Sequence, residues 1–168
     1  MIRAAAVFLA LVGLQACGRE AAPTAQSRVL AEIANVAGRG RYEGSPGGPL
    51  MIDVGSFARY GLPVLGADVS KRQIQASLRT PYRDANERFA VRCAYLPYRC
   101  RIWRDGAYVR MDSAAHRSGG GFSAFVTCFW TDYRHRDRPL LGMAELRIEV
   151  RRVGSRWVVS EPVLIGIT

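Results

Sequence analysis

Four cysteines, Cys17, Cys93, Cys100 and Cys128, and two histidines, His116 and His135, are the side chains of this sequence best suited to forming bonds or holding metal. Cys93 and Cys100 enclose the segment AYLPYR. Phe89, Val91 and Cys93 alternate with polar or small neighbours on one arm, and Cys100 shares a face with Ile102 on the other. That pattern sets two strands side by side with a cysteine on each, where a disulfide needs a Cα separation below about 7 Å. Closing so short a loop stabilises a fold by roughly 2.5 kcal/mol on the chain-entropy model. Cys128 lies in an apolar run and reads as a small buried hydrophobe. The histidines stand in polar segments without compact zinc spacing to the cysteines, so no metal or other cofactor is expected. The sequence contains no G-x-S-x-G, P-loop or H-E-x-x-H pattern, and each of those spacings is what its chemistry requires. The acids are scattered rather than paired for glycosidase work. Gly119 to Gly121 lacks the following lysine and helix start of an anion cradle and reads as a hairpin loop. No catalytic residue is expected.

Charge gives a second signal. The formal net charge is +10, and Lys71 is the one lysine among 24 basic residues. Codon bias in a GC-rich genome favours arginine in the same way; attraction to an anionic surface is the functional reading. Asp105-Gly106 is a strong two-residue hairpin signal. With that turn, Trp103 faces Tyr108 and Arg101 faces Arg110, so arginines and aromatics share a face, an arrangement suited to sugar, peptide or acidic-polymer contact. The segment Tyr133 to Pro139 reads as a hairpin tip carrying Arg134, Arg136 and Arg138. Arg101, Trp103, Tyr108, Arg110, Arg134, Arg136 and Arg138 form the candidate binding surface.

The N-terminus sets the compartment. Arg3 precedes an apolar run from Ala4 to Leu14, too short to span a bilayer, which takes about 20 apolar residues, but suited to a secretory signal. Leu14, Ala16 and Cys17 resemble the lipobox of bacterial lipoproteins; Gln15 departs from it, a smaller residue being usual there. The resemblance covers the first 17 or so residues. It implies cleavage before Cys17, a diacylglycerol on its thiol and an acyl chain, typically palmitate, on the new amine. Gly18, in place of the aspartate linked to inner-membrane retention, favours the outer membrane facing the periplasm. Implied partners are the membrane through the lipid, and anionic lipid, lipopolysaccharide or another envelope protein; nucleic acid is not expected. An oxidising compartment also favours pairing of Cys93 with Cys100. The expected function is a non-enzymatic binding or assembly module of the cell envelope. The alternative is an envelope enzyme on cell-wall or lipid material, its pocket built from distant residues.

The elements that must position these residues follow from periodicity. Residues 1–16 read as signal, 17–27 as a lipidated tether, and 28–168 as one domain. Hydrophobic residues make up 49% of the chain and charged residues 23%, close to globular averages, so a real core is expected. Val29, Leu30, Ile33 and Val36 mark a helix over 28–38 with Ser27 as cap, and Val69, Ile74 and Leu78 mark a second over 68–79. Leu50 to Val54 reads as a strand. From Glu87 the period changes to two. Phe122 to Trp130 is apolar on both faces, the mark of a central strand, while Leu146, Ile148 and Val150 alternate with charges. Helices followed by an antiparallel meander give an α+β fold. The late pair LRIEVRRVGSRWVV resembles strands of NTF2-like domains, which implies a curved sheet wrapped around an N-terminal helix.

Non-reducing peptide mapping of the exported protein is expected to return one bridge, Cys93–Cys100, with Cys128 reduced. A bridge from Cys128 to either partner contradicts the strand register read here.

Overall fold

A computed structural model of the chain describes residues 22–39, 49–93, 100–102, 106–132 and 140–167. In chain order the elements are α1 (Ala25–Arg39), β1 (Leu50–Ile52), α2 (Val54–Leu65), α3 (Lys71–Gln75), β2 (Tyr82–Asp84), α4 (Glu87–Ala90), β3 (Val91–Cys93), β4 (Cys100–Ile102), β5 (Ala107–Arg117), β6 (Gly121–Asp132), β7 (Leu140–Val153), β8 (Arg156–Val159) and β9 (Val163–Ile167). The fold is α+β, with N-terminal helices and a sheet curled into a half-barrel. Strand order is β2-β1-β5-β6-β7-β8, and β9 also joins β7; β3 and β4 form a separate two-stranded ribbon.

The expected antiparallel meander is present as β5-β6-β7-β8, and β1 and β2 add a parallel edge that makes the sheet mixed. β5, β6 and β7 are antiparallel neighbours, but β1 pairs in parallel with both β2 and β5, Leu50 facing Tyr82 on one side and Ala107 on the other. The expected Asp105-Gly106 hairpin is therefore not formed. β4 pairs with β3, and the edge of β5 that the hairpin would use belongs to β1. Gly106 is not among the positive-φ glycines, whereas a type I′ turn needs positive φ at both central residues. Its glycine has another cause: an added Cβ would lie 2.1 Å from the Pro49 carbonyl oxygen, so β1 approaches β5 only because no side chain intervenes.

The helices pack on the concave face. α1 buries nine of its residues, among them Leu30, Ile33, Ala34 and Ala37, against a core that includes Val109, Met111, Phe122, Val126, Trp130, Leu146 and Ile148 of the sheet. Its start is not capped by Ser27. Thr24 Oγ1 accepts from Ser27 N at 3.0 Å, and Ser27 Oγ accepts from Thr24 N at 2.9 Å, a reciprocal box that satisfies donors a helix start leaves open. Ser27 Oγ also bonds Ser77 Oγ at 3.1 Å, and the Ala22 carbonyl accepts from Gln73 Nε2. Residues 22–27, expected as tether, are thus docked on α3. The second expected helix contracts to five residues, capped by Ser70 with Gln73 completing a capping box; Val69 and Ile74 are buried as expected.

Sequence periodicity missed α2, because Gly55, Gly61 and Pro63 lower its intrinsic propensity. Two local devices hold it. Asp53 caps it by accepting from Ser56 N at 3.0 Å, and Gly66 closes it at φ 62°, a left-handed conformation that glycine adopts without cost. Gly61 sits where a Cβ would lie 2.4 Å from Leu30 Cδ2, so α2 and α1 meet at a small residue.

Gly106→Ala is expected to lower stability by about 2–3 kcal/mol, the upper range for overpacking against atoms that cannot rotate away. Urea unfolding of Gly106→Ala beside wild type checks this; an unchanged midpoint contradicts the close approach of β1 to β5.

Candidate functional site

The convex face of the sheet carries the polar groups. β6 shows why: Val126, Cys128 and Trp130 point to the helices, while Phe125, Thr127 and Phe129 point outward. The outer side has a small core of its own, Met51, Ala85, Ala90, Tyr108 and Phe129 with Val91, Leu141 and Met143. It is covered where α4 and the β3–β4 ribbon lie against the sheet. Beside this cover an open cleft of about 430 Å³ has Arg110, Asp112, Ser113, Phe125, Thr127, Met143, Glu145 and Ile165 among its lining residues. Its size is that of a small-ligand site.

The cleft charges are already paired. Arg110 Nε donates to Asp112 Oδ1 at 2.6 Å, and its Nη1 bonds Glu87. Thr127 Oγ1 donates to the other oxygen of Asp112. The guanidinium also lies 5.1 Å from the centroid of the Phe129 ring. Burial lowers the pKa of Arg110, but the hydrogen bond and charge of Asp112 and the charge of Glu87 outweigh it, leaving the group above its ordinary value. Asp112 shares the face of Arg110, and a β-bulge between Met111 and Ser113 brings Ser113 to that face as well, opposite Phe125. The bulge breaks the strict alternation of β5, and bulges commonly re-aim a side chain in this way.

A second polar chain runs beneath the first. Tyr108 stacks on Phe129 with centroids 5.9 Å apart, and its hydroxyl donates to Asp53 Oδ2 at 3.4 Å. Asp53 is the cap of α2. Ser56 Oγ donates to the Asp53 carbonyl at 2.7 Å and accepts from Met111 N at 2.9 Å. One aspartate and one serine therefore tie β1, α2 and β5 together.

Several expected site residues change role. Tyr108 is fully buried and so is no part of a binding surface; the parallel β1 and the outer core enclose it. Arg110 keeps 30% side-chain exposure but is held by two carboxylates. Arg101 lies on β4 opposite Arg92, so the expected cluster of Arg101, Trp103, Tyr108 and Arg110 is not built from one hairpin. Cys93 faces Cys100 across β3–β4 in antiparallel register. Cys128 is buried, its Sγ donating to the Ala37 carbonyl at 3.7 Å. His116 is exposed at the end of β5, opposite Phe122. Cys17, Trp103, Arg134, Arg136, Arg138 and His135 lie outside the described residues. Among the described residues no three His, Cys, Asp or Glu side chains converge on one point.

Sequence reasoning missed Asp53, Glu87, Asp112 and Thr127, which meet only through long-range pairing. It also passed over Arg151, Arg152 and Arg156, which flank the β7–β8 turn and are exposed; that turn was visible at Gly154-Ser155, and its arginines carried the missing signal. Comparison with family models, with curated proteins and with solved structures finds no match for this chain.

Burial, followed by the charge of Asp53, pushes the Tyr108 hydroxyl well above the ordinary tyrosine range. A raised acid is held protonated by the fold. Its contribution is complete below pH about 10, where the unfolded tyrosine ionises, and is lost as pH rises toward the folded value. Tyr108→Phe is therefore expected to lose less stability than wild type between pH 9 and pH 11, about one pH unit either side of that value. Parallel thermal melts check this; identical slopes contradict it.

Proposed function

We propose that the chain is a bacterial envelope lipoprotein, anchored by lipid on Cys17, whose domain is a non-enzymatic binding module with a basic surface facing anionic envelope components. The observation that carries this reading is the disposition of ionic groups. Glu87 and Asp112 are taken by Arg110, Glu149 by Arg117 and Arg147, and Glu32 by Arg39 and Arg79. These carboxylates serve internal pairs, while Arg151, Arg152 and Arg156 stand outward around one turn. In an exported protein, excess positive charge of that kind meets phospholipid head groups, lipopolysaccharide or an acidic envelope partner. The short signal-like run ending at Ala16-Cys17 supports the anchor. The curled sheet with α1 on its concave side supports an NTF2-like kinship of form, from which no activity follows.

The anchor and the charge separate experimentally. Mass spectrometry of protein extracted from native membranes is expected to find an acylated Cys17 at the N-terminus. High salt is expected to leave the wild type in the membrane fraction, since acyl chains rather than charge hold it there. Detergent releases it. Wild-type protein recovered from the soluble fraction, or starting at another residue, overturns the proposal.

A further inference from the structure

Cross-strand register assigns the paired residues of β7, β8 and β9 to a face, since opposed residues point the same way; Ile165 falls at a register shift, and its face is given by the cleft it lines. Arg151 opposes Gly121 of β6 and Val158 of β8, and Arg156 opposes Val153. Arg147 opposes Phe125 and Val163. Phe125 and Ile165 both line the convex cleft. Arg147, Arg151 and Arg156 therefore share the convex face with Val153, Val158, Val163 and Ile165. The four aliphatic residues are 63%, 50%, 46% and 48% exposed. Arg151 and Arg156 have no ion pair among the described residues. The carboxylates of this region are Glu149, held by Arg117, Arg147 and the Ser123 hydroxyl, Glu145 in the cleft, and Glu161, exposed in the β8–β9 connection. The β3–β4 ribbon covers the other half of the face.

We infer that this open half, Arg147, Arg151, Arg156, Val153, Val158, Val163 and Ile165, is a seat for an anionic lipid bilayer. The inference rests on the envelope reading above and names the surface and its partner. Arginine interleaved with aliphatic side chains on one sheet face matches the two layers of a bilayer interface. Guanidinium groups meet phosphates, and valine and isoleucine side chains enter the region just below them. A second copy seated on the same face would bring Arg151 and Arg156 against their own equivalents, a like-charge juxtaposition that opposes association. Charge complementarity therefore selects the lipid surface. Lipid on Cys17 adds effective concentration, so a seat of modest intrinsic affinity is occupied once the chain is anchored.

The test uses the complete mature chain from residue 17, with Cys17→Ser so that binding by the face is read without acyl chains. Partition is measured by flotation with vesicles of phosphatidylcholine alone or mixed with phosphatidylglycerol. Binding is expected only to the mixed vesicles, falling as salt shortens the screening length toward about 8 Å and below. Arg151→Ser with Arg156→Ser is expected to lower partition by about 30-fold, roughly fivefold per arginine near an anionic surface. Val153→Ser with Val158→Ser is also expected to lower it. Arg59→Ser with Arg72→Ser changes the charge equally on the helix side and is expected to leave partition within about threefold, surface charges there being distant and screened. Equal loss in the two arginine pairs means diffuse attraction and overturns the seat. An arginine effect without a valine effect assigns the face to a soluble polyanion or acidic protein and also overturns it. The anchor is read separately, by flotation of the native protein on neutral vesicles. Failure there refutes the lipidation reading while the Cys17→Ser arm still decides the seat.

Discussion

β6 is apolar on both faces, and that single constraint organises the molecule. A strand of this kind cannot be satisfied by one packed layer. Trp130, Cys128, Val126 and Phe122 require the helices; Phe129 requires a second cover on the convex side. Neighbouring β5 and β7 adopt the same division, because register hands each face of β6 on to its partners. The second cover is short. It spans Ala85, Ala90 and Val91 and stops before the β7–β8 turn, so the convex face is half core and half surface.

That division explains where the polar groups sit. At the border between covered and open halves, Arg110 joins α4 to the sheet through Glu87 and Asp112. A partly buried charge needs such partners, and here two carboxylates and the Phe129 ring provide them. Farther along, Glu149 is shared by Arg117 and Arg147, which links β5 and β7 across β6. Exposed pairs of this sort contribute little stability each. Their larger effect on this face is to occupy Glu149 and Asp112, which leaves Arg151 and Arg156 without an ion pair among the described residues.

Much of the fold was legible because it is local. The alternation of Leu146, Ile148 and Val150, the two-faced apolarity of β6, the helix through Val29 and Ile33 and the turn at Gly154 each depend on residues a few positions apart. What stayed hidden is non-local or rests on a missing side chain. Asp105-Gly106 carries a hairpin signal, yet Gly106 is required by the passage of Pro49. α2 has two glycines and a proline, and its helix depends on Asp53, which is also needed by Tyr108. The cleft joins residues of β5, β6, β7 and β9, and the bulge at Asp112 shifts the alternation that would have announced it.

The parallel pairing of β1 has a consequence for the birth of the chain. Leu50 finds its sheet partner at Ala107, and α1 finds its floor on β5, β6 and β8. A polypeptide made from its N-terminus presents both elements before the strands they need have been translated. The hairpins β5–β6 and β6–β7 close through short-range contacts, whereas β1 must wait for a distant partner, and such non-local closure is slow. α1 and β1 are therefore among the last elements to dock. Until β8 has been made, the apolar face of α1 remains open to whatever chaperone or translocation machinery meets it.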